Sequence, residues 1–362
     1  MTARPPQRAI AGSELSCYTA AVATLLEALG LNHEHLIGAQ LYTAVRAEPD
    51  GPGGSPTGFV HHHTSLRSEA LGAPNLARRA ASSWPEALSR LEEQVAANGA
   101  VILVGDVHNL PWQAARRRWH APHWFVVDAF AGGACHVTDL FAFESGFGVQ
   151  GPYRGWRPVA ELAELARPPD YASSRSFVAR ELHALGDLED ERLLDSASPR
   201  YQWYEATCRE GGRRPGALDV LRDTVRQHGG RVVRADLGAR RWTCGLGALE
   251  LLRGRALEQL SSPAFYDAAT DLWVAARTRA LFATACAGVG AALRDARFRR
   301  LGEWCREELV GLWAMVPRAM EYNRGALRRG RPPRPILSRL LDEIVAVETE
   351  LLARLERLLD GG

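Results

Sequence analysis

The sequence predicts an α+β protein, and three observations carry that prediction. A helix-period run opens at Cys17 and stops at Gly30, β-branched and aromatic runs cluster between Val101 and Asp139, and beyond about Pro169 only helical patterns remain. The 362-residue chain is accordingly expected to hold a mixed N-terminal domain over residues 1–170 and an all-helical C-terminal domain over residues 171–362.

The first helix, Cys17 to Leu29, carries Ala21, Val22, Leu25, Leu26 and Leu29 on one face, with Ser16 placed to cap its first turn. Arg46 to Gly58 is rich in Pro and Gly and reads as a surface loop leading into His61, His62 and His63. A second helix, about Pro85 to Ala97, ends at Asn98-Gly99, and the apolar run Val101 to Val107 reads as a buried strand. Two further strands, His123 to Val127 and Cys135 to Asp139, are joined through Gly132-Gly133. A hairpin centred near Ala131 sets His123 directly opposite Asp139, with Cβ atoms about 4.5–5.5 Å apart. The period of two then puts Phe125, Val127, Cys135 and Val137 on the same face.

In the second half, the last helix, about Ile336 to Leu359, has an apolar stripe that packs into its own bundle or forms a homodimer seam. Trp273, Trp304 and Trp313 at helical spacing read as bundle core, and Arg328-Arg329-Gly330-Arg331 as a basic loop between helices.

Composition excludes several kinds of chemistry. Acidic and basic residues nearly cancel at a formal net charge of +2, so no overall field recruits nucleic acid or an anionic membrane. The chain contains no lysine, which removes Schiff-base, pyridoxal-phosphate and Walker A chemistry and leaves covalent catalysis to another nucleophile. The cysteines at 17, 135, 208, 244, 286 and 305 form no C-x-x-C pair, as expected of reduced thiols in a cytoplasmic protein. Neither a signal-peptide pattern nor an apolar run of about 18 residues is present, so no membrane association is expected.

One constellation among the remaining residues carries chemistry. A cysteine in the first turn of a helix has its thiolate favoured by the helix dipole and by unpaired N–H groups. A histidine in reach takes the thiol proton, and a carboxylate on the far ring nitrogen fixes the tautomer. Cys17, His123 and Asp139 meet those needs in the chain order, and on the elements, that papain-like folds require.

The run HWFVVDAFAGGACHVTDLF resembles the histidine and aspartate strands of the cysteine peptidases that remove double-glycine leaders from bacteriocins. SCYTAAVATLLEALGL, VILVGDVHNLPW and HAPHWFVVDAF, in that order, look like the butirosin biosynthesis acyltransferase family, with its cysteine-led helix, D-x-x-x-L-P-[YW] strand end and H-[FW]-x-V-V strand. The likeness covers roughly residues 10–165, and the helical remainder looks like the domain that commonly follows in the family. It implies acyl transfer from a carrier-protein or other thioester donor to a small-molecule amine, with Cys17 as nucleophile, His123 as base and Asp139 as the orienting acid. Asp106 matches the aspartate of the strand motif, where it binds the acceptor amine or holds the Leu110-Pro111-Trp112 turn. One departure stands out. The related peptidases place an oxyanion-donating glutamine a few residues before the cysteine, whereas Ala11 to Ser16 contains none. The Cys17 N–H is one expected donor, and Ser13 or Ser16 the second.

Ser16, Tyr18, Asp106 and His62 are the candidate substrate-binding residues. No metal and no cofactor is expected, because consecutive histidines in extended chain point to opposite sides and cannot converge on one ion. Arg116-Arg117-Arg118 reads as a solvated charge run or as a contact for the phosphopantetheine phosphate or an acidic carrier protein. Two readings of other classes stand beside acyl transfer: a thioesterase, amidase or peptidase with water as acceptor, and a non-catalytic binding module.

Overall fold

The computed structural model describes residues 15–39, 41, 43–46, 59–60, 75–145, 148–167, 201–207, 216–229, 233–234, 242–267 and 269–361. Along them run α1 (Cys17–Ala28), β1 (Ala44–Arg46), β2 (Phe59–Val60), β3 (Asn75–Ala81), α2 (Trp84–Asn98), β4 (Val101–Asp106), β5 (Pro122–Ala131), β6 (Ala134–Asp139), β7 (Phe143–Ser145), β8 (Gly148–Gln150), β9 (Tyr153–Pro158), α3 (Val159–Leu165), β10 (Tyr201–Thr207), β11 (Val233–Arg234) and β12 (Trp242–Cys244), with helices filling most of the chain from Ala217 on. The protein is mixed α+β with antiparallel sheets. No described helix is long and apolar enough to cross a membrane.

The elements form two compact units. The first holds the described residues 15–33, 75–167 and 201–207; the second holds those between 34 and 60 and from 216 onward. In the first unit a six-stranded sheet runs in the order β3-β10-β4-β5-β6-β9. One face of it gathers Val101, Leu103, Phe125, Val127, Cys135, Val137 and Trp203 against Leu91 and Val95 of α2 and Leu162 and Leu165 of α3. The β5 and β6 residues in this cluster are the four that the period of two places together. α1 packs on β5, and Val22, Leu25 and Leu26 are at most 1% exposed, each contributing about 1.5–3 kcal/mol by burial. Gly105 in β4 is dictated by closeness, since a Cβ there would stand 2.2 Å from the Leu165 carbonyl oxygen.

Three expectations need correction. Strand signals do not end near Pro169, because β10 lies between β3 and β4 inside the sheet. Gln202, Trp203, Tyr204 and Ala206 are all buried, so both faces of β10 are covered and its residues show no in-and-out alternation. The C-terminal part is not all-helical either. β11, β12, β1 and β2 make a four-stranded antiparallel sheet whose strands of two or three residues are too short to display a period. Nor does a single cut near 170 separate the two units, since the chain passes between them more than once.

The second unit is otherwise a helical bundle. Its last helix, Ile336–Asp360, buries Leu337, Leu341, Ile344, Leu351, Leu352 and Leu355 against neighbouring helices of that unit. Trp313 is fully buried, while Trp273 and Trp304 are half-buried under the guanidinium groups of Arg277 and Arg354, each 4.4 Å from the ring centre. Arg328 ends one helix, and Arg329 to Arg331 lie exposed in the connection to the next. Glu348 lies fully buried in the bundle and accepts from Arg279 Nε at 2.8 Å and Trp313 Nε1 at 2.7 Å, with His228 Nε2 beside it. Burial pushes its carboxyl up, but the Arg279 and His228 charges override that and hold it well below the usual carboxylate range.

Candidate active site

Cys17 is the first residue of α1. The Ser16 hydroxyl caps the helix, accepting from Thr19 N at 3.1 Å, with Thr19 Oγ1 2.9 Å away. Half-buried Cys17 thus stands in the first turn of the helix, at the positive end of its dipole.

His123 is the second residue of β5 and Asp139 the last of β6, and both are 2% exposed. His123 Nε2 lies 2.7 Å from Asp139 Oδ2, and Cys17 is near enough to the ring to act on its pKa. Thiol, imidazole and carboxylate are therefore gathered in one place, an arrangement able to move the thiol proton onto the ring. Burial alone would push the His123 pKa down. The Asp139 charge and hydrogen bond, joined by the hydrogen bond and charge of Cys17, reverse this and raise it to about 10.

The strand register that brings the pair together differs from the expected one. Around the Gly132-Gly133 turn, where both residues have positive φ, Ala131 pairs with Ala134, Phe130 with Cys135 and Ala129 with His136. Continued unchanged, that ladder would set Asp139 against Val126 and turn its side chain to the face away from His123. A bulge at Asp128 intervenes, so that Val127 pairs with Val137 and Val126 with Thr138. The corrected ladder leads Asp139 to Phe125, diagonal to His123 rather than directly opposite it, and on the same face. Asp128 itself is tied across the hairpin to His136 Nδ1 at 2.6 Å and Thr138 Oγ1 at 3.1 Å.

Two residues that sequence reasoning did not assign complete the surroundings of Asp139. Trp112 Nε1 donates to Asp139 Oδ2 at 2.7 Å, and Gln113 Nε2 donates to the same oxygen at 3.1 Å. Gln113 Nε2 also lies 2.8 Å from His123 Nε2. With the ring N–H directed at Asp139 these two nitrogens are both donors, so the carboxylate is what Gln113 bonds. The backbone N–H of Phe141 donates to Asp139 Oδ1 at 3.0 Å. In the sequence Trp112 stands out only as part of a motif. Gln113 follows that motif directly, but a lone amide in a loop has no periodicity to mark it.

The substrate-binding candidates fare differently. Asp106 is 2% exposed and its carboxylate clamps the two ends of loop 107–121: Oδ1 accepts from His108 N at 3.1 Å and Ala121 N at 3.0 Å, and Oδ2 faces His120 Nδ1 at 2.7 Å. Of the two roles considered for it, the structure places its carboxylate in the loop-holding one. The Ser16 hydroxyl is committed to the helix cap. Tyr18 is 7% exposed with its ring edge-on to Trp124 and Tyr204, which makes it a packing residue. His62, with His61 and His63, lies outside the described residues, as do Ser13 and Cys208. Among the described residues no group of three or more His, Cys, Asp or Glu is placed to hold a metal ion.

The described cysteines are all free thiols. Burial pushes Cys135 up to about 11, Cys305 up to about 12 and Cys286 well above the usual range, so these thiols stay protonated under ordinary conditions. No protein-family model matches the chain, and no curated protein matches its sequence.

Proposed function

We propose that the first unit is a papain-like catalytic domain and that the protein is a cysteine-dependent acyltransferase of natural-product biosynthesis. It moves an acyl group from a carrier-protein thioester through acyl-Cys17 to the amine of a small molecule. The observation that carries this reading is the buried His123–Asp139 hydrogen bond beside Cys17 at the start of α1. A cytoplasmic setting goes with the reduced thiols.

On this reading Cys17 gives its proton to His123, and the thiolate attacks the thioester carbonyl. The Cys17 N–H at the start of α1 donates to the developing oxyanion. Collapse of the tetrahedral intermediate expels the carrier thiolate, which takes the proton from His123 and leaves acyl-Cys17. The neutral ring then accepts a proton from the amine as that amine attacks the acyl group, and the second collapse releases the amide and the Cys17 thiolate. Asp139 holds the ring oriented throughout, and Trp112 and Gln113 hold Asp139.

Intact-protein mass spectrometry tests the assignment. A short acyl thioester should leave a mass increment on Cys17 that survives for minutes and disappears when the acceptor amine is added. Rapid hydrolysis with no adduct and no amine dependence would replace the transferase by a thioesterase using the same three residues. No reaction in any assay would overturn the catalytic reading.

A further inference from the structure

We infer that the turn Arg116 to Trp119 is the docking face for the acidic carrier that presents the thioester, an inference that rests on the acyl-transfer reading above. Arg116, Arg117 and Arg118 are exposed, and none of them has a side-chain hydrogen bond or ion pair among the described residues. Directly after them Trp119 is 37% exposed, one of seven exposed large apolar side chains among the described residues. Three guanidinium forks beside an exposed indole are the residue types that dominate protein interfaces, and they suit carboxylates on a partner's surface.

The turn is ordered rather than trailing. Arg116 N donates to Gln113 O at 3.1 Å, Arg118 N and Trp119 N donate to Ala115 O at 3.0 and 3.2 Å, and Arg117 N donates to His108 O at 3.1 Å. Arg117 is held at φ 59°, one of two described non-glycine residues with positive φ. A preformed turn loses little conformational freedom when a partner settles on it.

Its placement connects it to the chemistry. The same loop carries Trp112 and Gln113 to Asp139, and it ends at Ala121, two residues before His123. A carrier seated on the arginines is therefore held one loop away from the His123–Asp139 pair. With a net charge of only +2 the chain has no general field to gather acidic partners, so recognition must come from a local concentration of charge such as this one.

The test uses the triple variant Arg116→Gln, Arg117→Asn, Arg118→Gln, with asparagine at the position of positive φ because it tolerates that backbone. Two donors carry the same short acyl group, one on an acyl carrier protein and one on N-acetylcysteamine, a small neutral thiol. The triple variant should lose about tenfold or more in kcat/KM with the carrier and lose its salt dependence, while the small donor reacts within about twofold of wild type. Equal losses with both donors, or no loss with the carrier, overturn the proposal. So does an equal loss on phosphopantetheine thioester without the protein, which would assign the turn to the phosphate.

Binding of fluorescently labelled carrier to Cys17→Ala protein, read by anisotropy as salt is raised, is independent of turnover. Salt-sensitive binding that the triple variant abolishes supports the docking face even if neither donor reacts, in which case acyl transfer alone fails. Turnover of the small donor with no salt-sensitive carrier binding sinks the docking face and leaves acyl transfer standing.

Discussion

Asp139→Asn removes one charge from the buried pair that it forms with His123, and its effect should be readable as a pH-dependent loss of stability. His123 has an ordinary pKa of about 6.5 when unfolded and about 10 in the folded protein. Its folded pKa is raised, so the stability it contributes is complete below about pH 6.5 and is lost as pH climbs through about 10. Between those limits only the folded state holds the proton, and stability falls by at most about 1.4 kcal/mol per pH unit. Over a window of about 3.5 units the ceiling is about 5 kcal/mol. The Asp139 charge and hydrogen bond outrank those of Cys17 in raising the pKa, while burial acts against both. Urea denaturation of wild type and Asp139→Asn at steps from pH 6.5 to 10.5, followed by tryptophan fluorescence, should give a stability difference of a few kcal/mol at the acid end that shrinks steadily toward pH 10. Ionisation of Cys135 and other distant groups cancels in the difference. A gap that stays constant across the window, or widens, would refute the claim that Asp139 holds His123 protonated.

Three further outcomes are expected. Cys17→Ala should abolish turnover with circular dichroism and urea midpoint little changed, and iodoacetamide at pH 7 to 8 should label Cys17 while Cys135, Cys286 and Cys305 stay unmodified, as peptide mass mapping would show. Gly105→Ala should cost about 1–3 kcal/mol or more in urea denaturation, because the added methyl meets the Leu165 backbone and β4 must move away from α3. Deleting Asp128 should leave much of the activity, because the residue removed is the unpaired one and Val127 still meets Val137, which keeps Asp139 on the face of His123; a loss as deep as that of Asp139→Asn would show that the pair does not rest on this register.

Much of this site was legible in the sequence because it is written in short-range patterns. The serine before Cys17 and the apolar spacing behind it specify a capped helix with the thiol in its first turn, and these depend on neighbours within a few residues. The alternation in β5 and β6 likewise specifies the face shared by Phe125, Val127, Cys135 and Val137. It also pairs His123 with Asp139 in place of Asp128, whose partners are His136 and Thr138.

What only the tertiary structure decided depends on contacts between segments that no local period encodes. The register of the hairpin turned on a single bulged residue, and a bulge looks in sequence like any other strand position. Trp112 and Gln113 reach Asp139 because Asp106 clamps their loop at both ends, a closure set by hydrogen bonds from residues two and fifteen positions away in the chain. β10 was invisible because burial on both faces erases alternation. Glu348 reads as one more surface charge on an amphipathic helix until the bundle closes over it. Arg279, brought from another helix, makes its burial tolerable, since a carboxylate can be withdrawn from water only where opposite charge and donors replace the hydration it loses.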